Sequence, residues 1–110
     1  MKQLTAAQLK AWLDEAGAGS RPPPVLIDVR EPWEFDVVRI PGAKLVPMRA
    51  IPARYLELQR DAETVVICHH GARSFQVAMF LEQQGFSNVI NLYGGMAAWS
   101  RDVDPRASTY

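Results

Sequence analysis

The apolar positions of this chain fall into short unbroken runs, and stretches with a helical period lie between them. Val25-Leu26-Ile27-Asp28-Val29, Lys44-Leu45-Val46, Thr64-Val65-Val66-Ile67 and Val89-Ile90-Asn91-Leu92 are the runs. Apolarity without alternation marks strands covered on both faces. Leu9, Trp12 and Leu13 repeat at i, i+3 and i+4 behind Thr5, and Gln8 completes a capping box, which predicts a helix over 5–16. Pro32 suits the first turn of a short helix from Pro32 to Val37. Ile51, Tyr55 and Leu58 give an apolar face to a weaker helix over 51–60. The strongest helical pattern covers 72–84, with Phe75 or Val77, Met79 or Phe80, and Leu81 turned inward and Gly85 as its stop. A short helix over 96–100 follows Gly94-Gly95, with Trp99 inward.

The intervening segments carry turn chemistry. Residues 17–24 contain Gly17, Gly19 and three consecutive prolines, read as a stiff connector rather than a recognition motif. Ile40-Pro41-Gly42-Ala43 is a turn. Residues 101–110 are polar, contain Pro105 and are expected to form an extended or frayed tail. Trp33 and Phe35 are expected to pack in the core rather than to form a docking rim. Strands alternating with helices predict an α/β fold, with a central, mainly parallel sheet of about five strands and helices on both faces. No repeat or break in composition divides the chain, so residues 1–110 are expected to form one domain.

Composition narrows the partners. Twelve basic and twelve acidic side chains cancel, so no excess charge draws the chain to nucleic acid or to an anionic membrane. A hydrophobic fraction of 48% argues for a packed core. No run of about 20 apolar residues would span a bilayer and the first residues lack a leader pattern, so a soluble, cytoplasmic protein is expected. The one cysteine cannot close an intrachain disulfide, and a free thiol suits a reducing compartment.

That cysteine is the candidate for chemistry. Cys68 ends the run Thr64–Ile67, and His69-His70-Gly71-Ala72-Arg73-Ser74 carries the chain from a tight loop into the strongest helix. A helix N-terminus and successive backbone N–H groups in a curled loop both favour a thiolate, which is the nucleophilic form. A lone cysteine is often only a small buried hydrophobe. Its place at the end of a buried strand, where open α/β sheets bind ligands, favours the reactive reading. Asp28, Arg30 and Glu31 cluster at the end of another buried run. A carboxylate there needs a partner, from Arg30 or from the backbone of the Cys68 loop. His69 and His70 either assist proton transfer or carry polarity into the loop. They make a poor metal pair, since neighbouring residues rarely converge on one ion, so no metal and no cofactor is expected.

Asp28-Val29-Arg30-Glu31, Cys68-His69-His70-Gly71-Ala72-Arg73 and Leu92-Tyr93-Gly94-Gly95-Met96-Ala97-Ala98-Trp99 occur in this order. Together they resemble the rhodanese (sulfurtransferase) family in its single-domain form, from about Leu4 to Trp99. The resemblance implies a rhodanese-like α/β domain in which Cys68 takes sulfur from a small anionic donor such as thiosulfate. Cys68 would hold that sulfur as a persulfide and pass it to cyanide, a thiol or a protein acceptor. It further implies that His69, His70, Gly71, Ala72, Arg73 and Ser74 wrap the sulfur, with Asp28 and Arg30 beside the loop in support. Arg73 supplies a positive charge suited to an anionic donor. Val38 stands where the family commonly has glycine, ahead of a matching Ile40-Pro41-Gly42-Ala43. A cysteine-dependent phosphatase or arsenate reductase is the competing enzyme class. Four residues separate Cys68 from Arg73, against five in the phosphatase signature. A persulfide carrier or a regulatory binding module is the other alternative.

Overall fold

The unbroken apolar runs become strands of a sheet whose two faces are both covered. The computed structural model describes residues 1–110. Five strands, β1 (Lys2–Leu4), β2 (Val25–Asp28), β3 (Lys44–Leu45), β4 (Thr64–Ile67) and β5 (Val89–Leu92), alternate with five helices. These are α1 (Ala6–Gly17), α2 (Pro32–Val37), α3 (Ile51–Arg54), α4 (Ala72–Gln83) and α5 (Gly95–Asp102). The strands form one parallel sheet in the order β1-β5-β4-β2-β3.

Successive strand residues point to opposite layers. Leu26, Val65, Ile67, Ile90 and Leu92 pack with Leu9 and Trp12 of α1 and with Met96 and Trp99 of α5. Ile27, Val66, Val89 and Cys68 pack with Ile51 of α3 and with Val77, Ala78 and Leu81 of α4. The Thr5 capping box is formed, and Trp12 Nε1 donates to Pro22 O at 2.9 Å, which ties the proline segment to α1.

This topology sets up the site. From β2 the chain goes outward to β3, then crosses to β4 on the other side of β2 and continues to β5. Its direction therefore reverses between β2 and β4, and the crevice beyond the carboxyl ends of those strands is the usual ligand position. Asp28 pairs with Ile67 across that end, so Asp28 and Cys68 reach the same edge of the sheet.

β1 lies outside the predicted elements. It is three residues long and mostly exposed, and so short and polar an edge strand has no periodic signal. The helix expected over 51–60 is broken into the four residues of α3 flanked by 3₁₀ turns at Met48–Ala50 and Tyr55–Glu57. No side chain caps it, and a segment this short nucleates poorly. On α4, Val77 and Leu81 are buried and Phe80 is half-buried against Tyr55, whereas Phe75 and Met79 are exposed. Trp33 is 58% exposed rather than in the core. The last helix begins at Gly95 and extends to Asp102, closed by Val103 N–H on Trp99 O. The segment after it is not frayed, because Tyr110 is hydrogen-bonded to Arg30 and Glu34. Val38 fits its turn because its backbone is extended (φ −159°) and needs no glycine.

Candidate active site

β4 delivers Cys68, 1% exposed, into a loop that curls back on its sulfur. Gly71 is the pivot. Its φ is +103°, and a Cβ there would lie 3.3 Å from Gly94 N and 3.4 Å from Leu92 O, so only glycine fits without strain. Gly71 N–H donates to Cys68 Sγ at 3.0 Å. Ser74 Oγ lies 3.2 Å from Sγ and donates to Asn91 Oδ1 at 2.5 Å. An amide oxygen only accepts, so the Ser74 proton is engaged there and the Cys68 thiol donates to Ser74. Asn91, 2% exposed on β5, uses its Nδ2 to hold Gly71 O at 3.2 Å and Gln3 Oε1 at 2.9 Å.

Helix α5 braces the loop from its other end. Met96 N–H donates to Cys68 O at 2.9 Å and Ala97 N–H to His69 O at 3.0 Å. These are first-turn N–H groups that a helix cannot satisfy internally. Gly95 (φ +57°) makes the approach possible, because a Cβ would run into the carbonyls of Cys68 and His69. With the loop carbonyls held in this way, the N–H groups of His69, His70, Ala72, Arg73 and Ser74 keep no partner within the chain. The loop thus offers one amide bound to the sulfur and several unpartnered amides next to it in the chain, and successive N–H groups in such a loop favour negative charge.

A chain of charged groups lies alongside. Asp28 and Arg30 are fully buried, and Arg30 Nε and Nη2 bind both carboxylate oxygens at 2.8–3.1 Å. The remaining Arg30 donors reach Val38 O at 2.6 Å, Glu34 O at 3.3 Å and Tyr110 Oη at 2.9 Å. Glu34, 4% exposed on α2, takes Arg73 bidentately at 2.7 and 2.9 Å. The Arg73 hydrogen bond pulls the Glu34 carboxyl down to about 2, and Glu34 in turn pushes the Arg73 guanidinium up. Tyr110 Oη donates to Glu34 Oε2 at 2.9 Å while accepting from Arg30. Burial pushes the Tyr110 phenol up to about 12. Its ring lies on His69, with centroids 4.3 Å apart, and meets Trp33 edge-on at 5.2 Å. His69 Nδ1 is buried without a hydrogen-bond partner. Burial, and then the nearby His70, pulls the His69 imidazole below its ordinary range.

The rhodanese-like domain family matches residues 5–102 of the chain. The chain belongs to that family. A sulfurtransferase of Allochromatium vinosum is 44% identical over 77 residues, covering 70% of this rhodanese-like chain and 72% of the relative. The thiosulfate sulfurtransferase GlpE of Pseudomonas fluorescens is 37% identical over 98 residues, 89% of this chain and 84% of that one. A crystal structure of a rhodanese-like domain protein from Staphylococcus aureus superposes with a TM-score of 0.81 at 35% identity, covering 90% of this chain and 91% of the other. In some curated relatives the matching unit is only 26–40% of a longer chain.

Within this rhodanese-like domain the structure gathers Cys68, Gly71 and Ser74 around the sulfur. Ala72 and Arg73 start α4, and His70 is exposed with its ring 4.1 Å from that of His69. Arg73 is engaged by Glu34, so its charge ties the loop to α2. The partner that Asp28 needs is Arg30 and not the loop backbone. The pair reaches the loop through Glu34 and Tyr110. No three His, Cys, Asp or Glu side chains converge as a metal-ligand set. Sequence reasoning missed Asn91, Gln3, Glu34 and Tyr110. Only Asn91 left a signal, as a polar residue inside an apolar run.

Proposed function

We propose that this rhodanese-like domain transfers sulfane sulfur through a persulfide on Cys68. The observation that carries the reading is the curl of the loop around Sγ, with Gly71 N–H at 3.0 Å and Ser74 Oγ at 3.2 Å. Similarity to sulfurtransferases over most of the chain supports it. The Cys68 thiolate attacks the outer sulfur of thiosulfate, the S–S bond to the sulfite group breaks, and sulfite leaves with the electron pair. The new persulfide anion lies among the free loop amides, which suit it as they suit the thiolate. Before the attack the thiol proton passes to solvent, and the Ser74 hydroxyl then turns from Asn91 toward the sulfur. Cyanide or a thiol, including one on a partner protein, then attacks the outer sulfur and restores the thiolate.

Backbone amides and the net field of the loop bind the donor, because Arg73 and Arg30 are each neutralised by a carboxylate. The test is steady-state turnover of thiosulfate and cyanide, following thiocyanate and sulfite. Turnover that Cys68→Ser abolishes supports the reading. A wild-type protein with no turnover on thiosulfate or on a persulfide donor would overturn it.

A further inference from the structure

We propose that Tyr110 is a positioning residue for the Cys68 loop: its hydroxyl joins the Asp28–Arg30 pair to the Glu34–Arg73 pair, and its ring fixes His69. As a statement about catalysis this rests on the sulfur-transfer reading above. As a statement about the loop it stands on geometry alone.

The phenol sits between a cation and an anion. Arg30 Nη1 donates to it and it donates to Glu34 Oε2, both at 2.9 Å, so one hydroxyl satisfies two buried charged groups. Without the hydroxyl, Glu34 Oε2 keeps only Arg73 Nη2, and Arg30 Nη1 keeps only the longer 3.3 Å bond to Glu34 O. A slackened Glu34 frees Arg73, whose own N–H is one of the unpartnered loop donors. Without the ring, His69 loses its cover one residue from the nucleophile. Both effects converge on the same loop.

The rest of the segment cannot replace Tyr110. Between Val103 and Tyr110 no other side chain makes a hydrogen bond or ion pair, and the backbone bonds there are local. A cleft of about 170 Å³ lies beside the end of the segment, lined by Val38, His69, Met96, Ser100, Thr109 and Tyr110. Ordering this backbone costs conformational entropy, and the compensating contacts are concentrated at one residue. Tyr110 therefore acts as the pin, and the segment belongs to the site although it lies outside the residues that match the family.

The test compares wild type, Tyr110→Phe and Tyr110→Ala of the full chain in two measurements. Hydrogen exchange reads the loop without any sulfur donor. Amides of residues 69–74 should exchange faster in Tyr110→Ala, while the β4 and α1 amides keep their protection. Equal exchange in the loop overturns the proposal whatever the chemistry does. Single-turnover sulfur loading from thiosulfate reads the consequence. Tyr110→Ala should load about tenfold more slowly, and Tyr110→Phe should fall between it and wild type. Unchanged loading in a folded Tyr110→Ala protein overturns the catalytic role. Absence of loading in wild type overturns instead the sulfur-transfer reading, and the exchange result still decides the role of Tyr110. If Tyr110→Ala does not fold, Tyr110→Phe gives both comparisons, since it loses only the hydroxyl.

Discussion

Asn91 is a buried amide in a strand whose other residues are apolar, and burial without partners would cost several kcal/mol. Its bonds to Ser74, Gly71 and Gln3 offset that cost and make it the hinge between sheet and loop. Replacing it with leucine leaves Gly71 O and the Ser74 hydroxyl without this partner. Asn91→Leu should lose about 1–3 kcal/mol of stability in urea unfolding and slow sulfur loading roughly tenfold. A variant as stable and as fast as wild type would contradict this role. Glu34 gives a pH prediction. Arg73 holds its carboxyl at about 2 in the fold, against an ordinary 4.5. The unfolded chain therefore takes up the proton first as pH falls. The stability that Glu34 contributes is fully present above 4.5 and is lost as pH falls toward about 2. Urea midpoints between about pH 6 and about pH 3 should fall more steeply for wild type than for Glu34→Gln, and parallel curves would contradict the pairing. The Asp28–Arg30 pair and the Cys68–Gly71 turn are legible in sequence because their partners lie two or three residues apart. Glu34 meets Arg73 across 39 residues and Tyr110 across 76, so no local pattern announces those contacts.

At the scale of elements, α5 braces as well as packs. Its first-turn amides hold the carbonyls of Cys68 and His69, and Gly95 is the residue that lets the helix come so close. Gly95→Ala forces a Cβ against those carbonyls at a positive φ. It should cost roughly 2 kcal/mol or more in chemical denaturation and accelerate exchange of the Met96 and Ala97 amides. An alanine variant with wild-type stability and protection would contradict the bracing role. The helices legible in the sequence are those with a cap or a sustained period: α1 through its capping box, and α4 through the apolar positions Val77, Phe80 and Leu81 ahead of the Gly85 stop. The 51–60 stretch had the apolar spacing of a helix but no cap, and packing of Ile51 and Tyr55 shaped it into short turns instead. β1 is defined by its register with Ile90–Leu92 rather than by its own residues, so it was not readable from Lys2-Gln3-Leu4.

For the whole molecule, parallel strands buried on both faces and alternating with helices were enough to give the fold class. The strand order was not written in the pattern, yet it decides where chemistry happens. The reversal between β2 and β4 brings Asp28 and Cys68 to one edge, and α2, α5 and the final segment converge there from three directions. Two apolar layers fix the sheet, so the loop need not contribute to the core beyond Cys68 itself. On the proposed route this fold presents one cysteine as a carrier of sulfur. Intact mass of the protein after mixing with thiosulfate, beside a Cys68→Ser control, decides whether it does. A gain of about 32 Da on the wild type, absent from the control and removed by cyanide, is the predicted result. A wild-type mass that stays unchanged with thiosulfate and with a persulfide donor would contradict it.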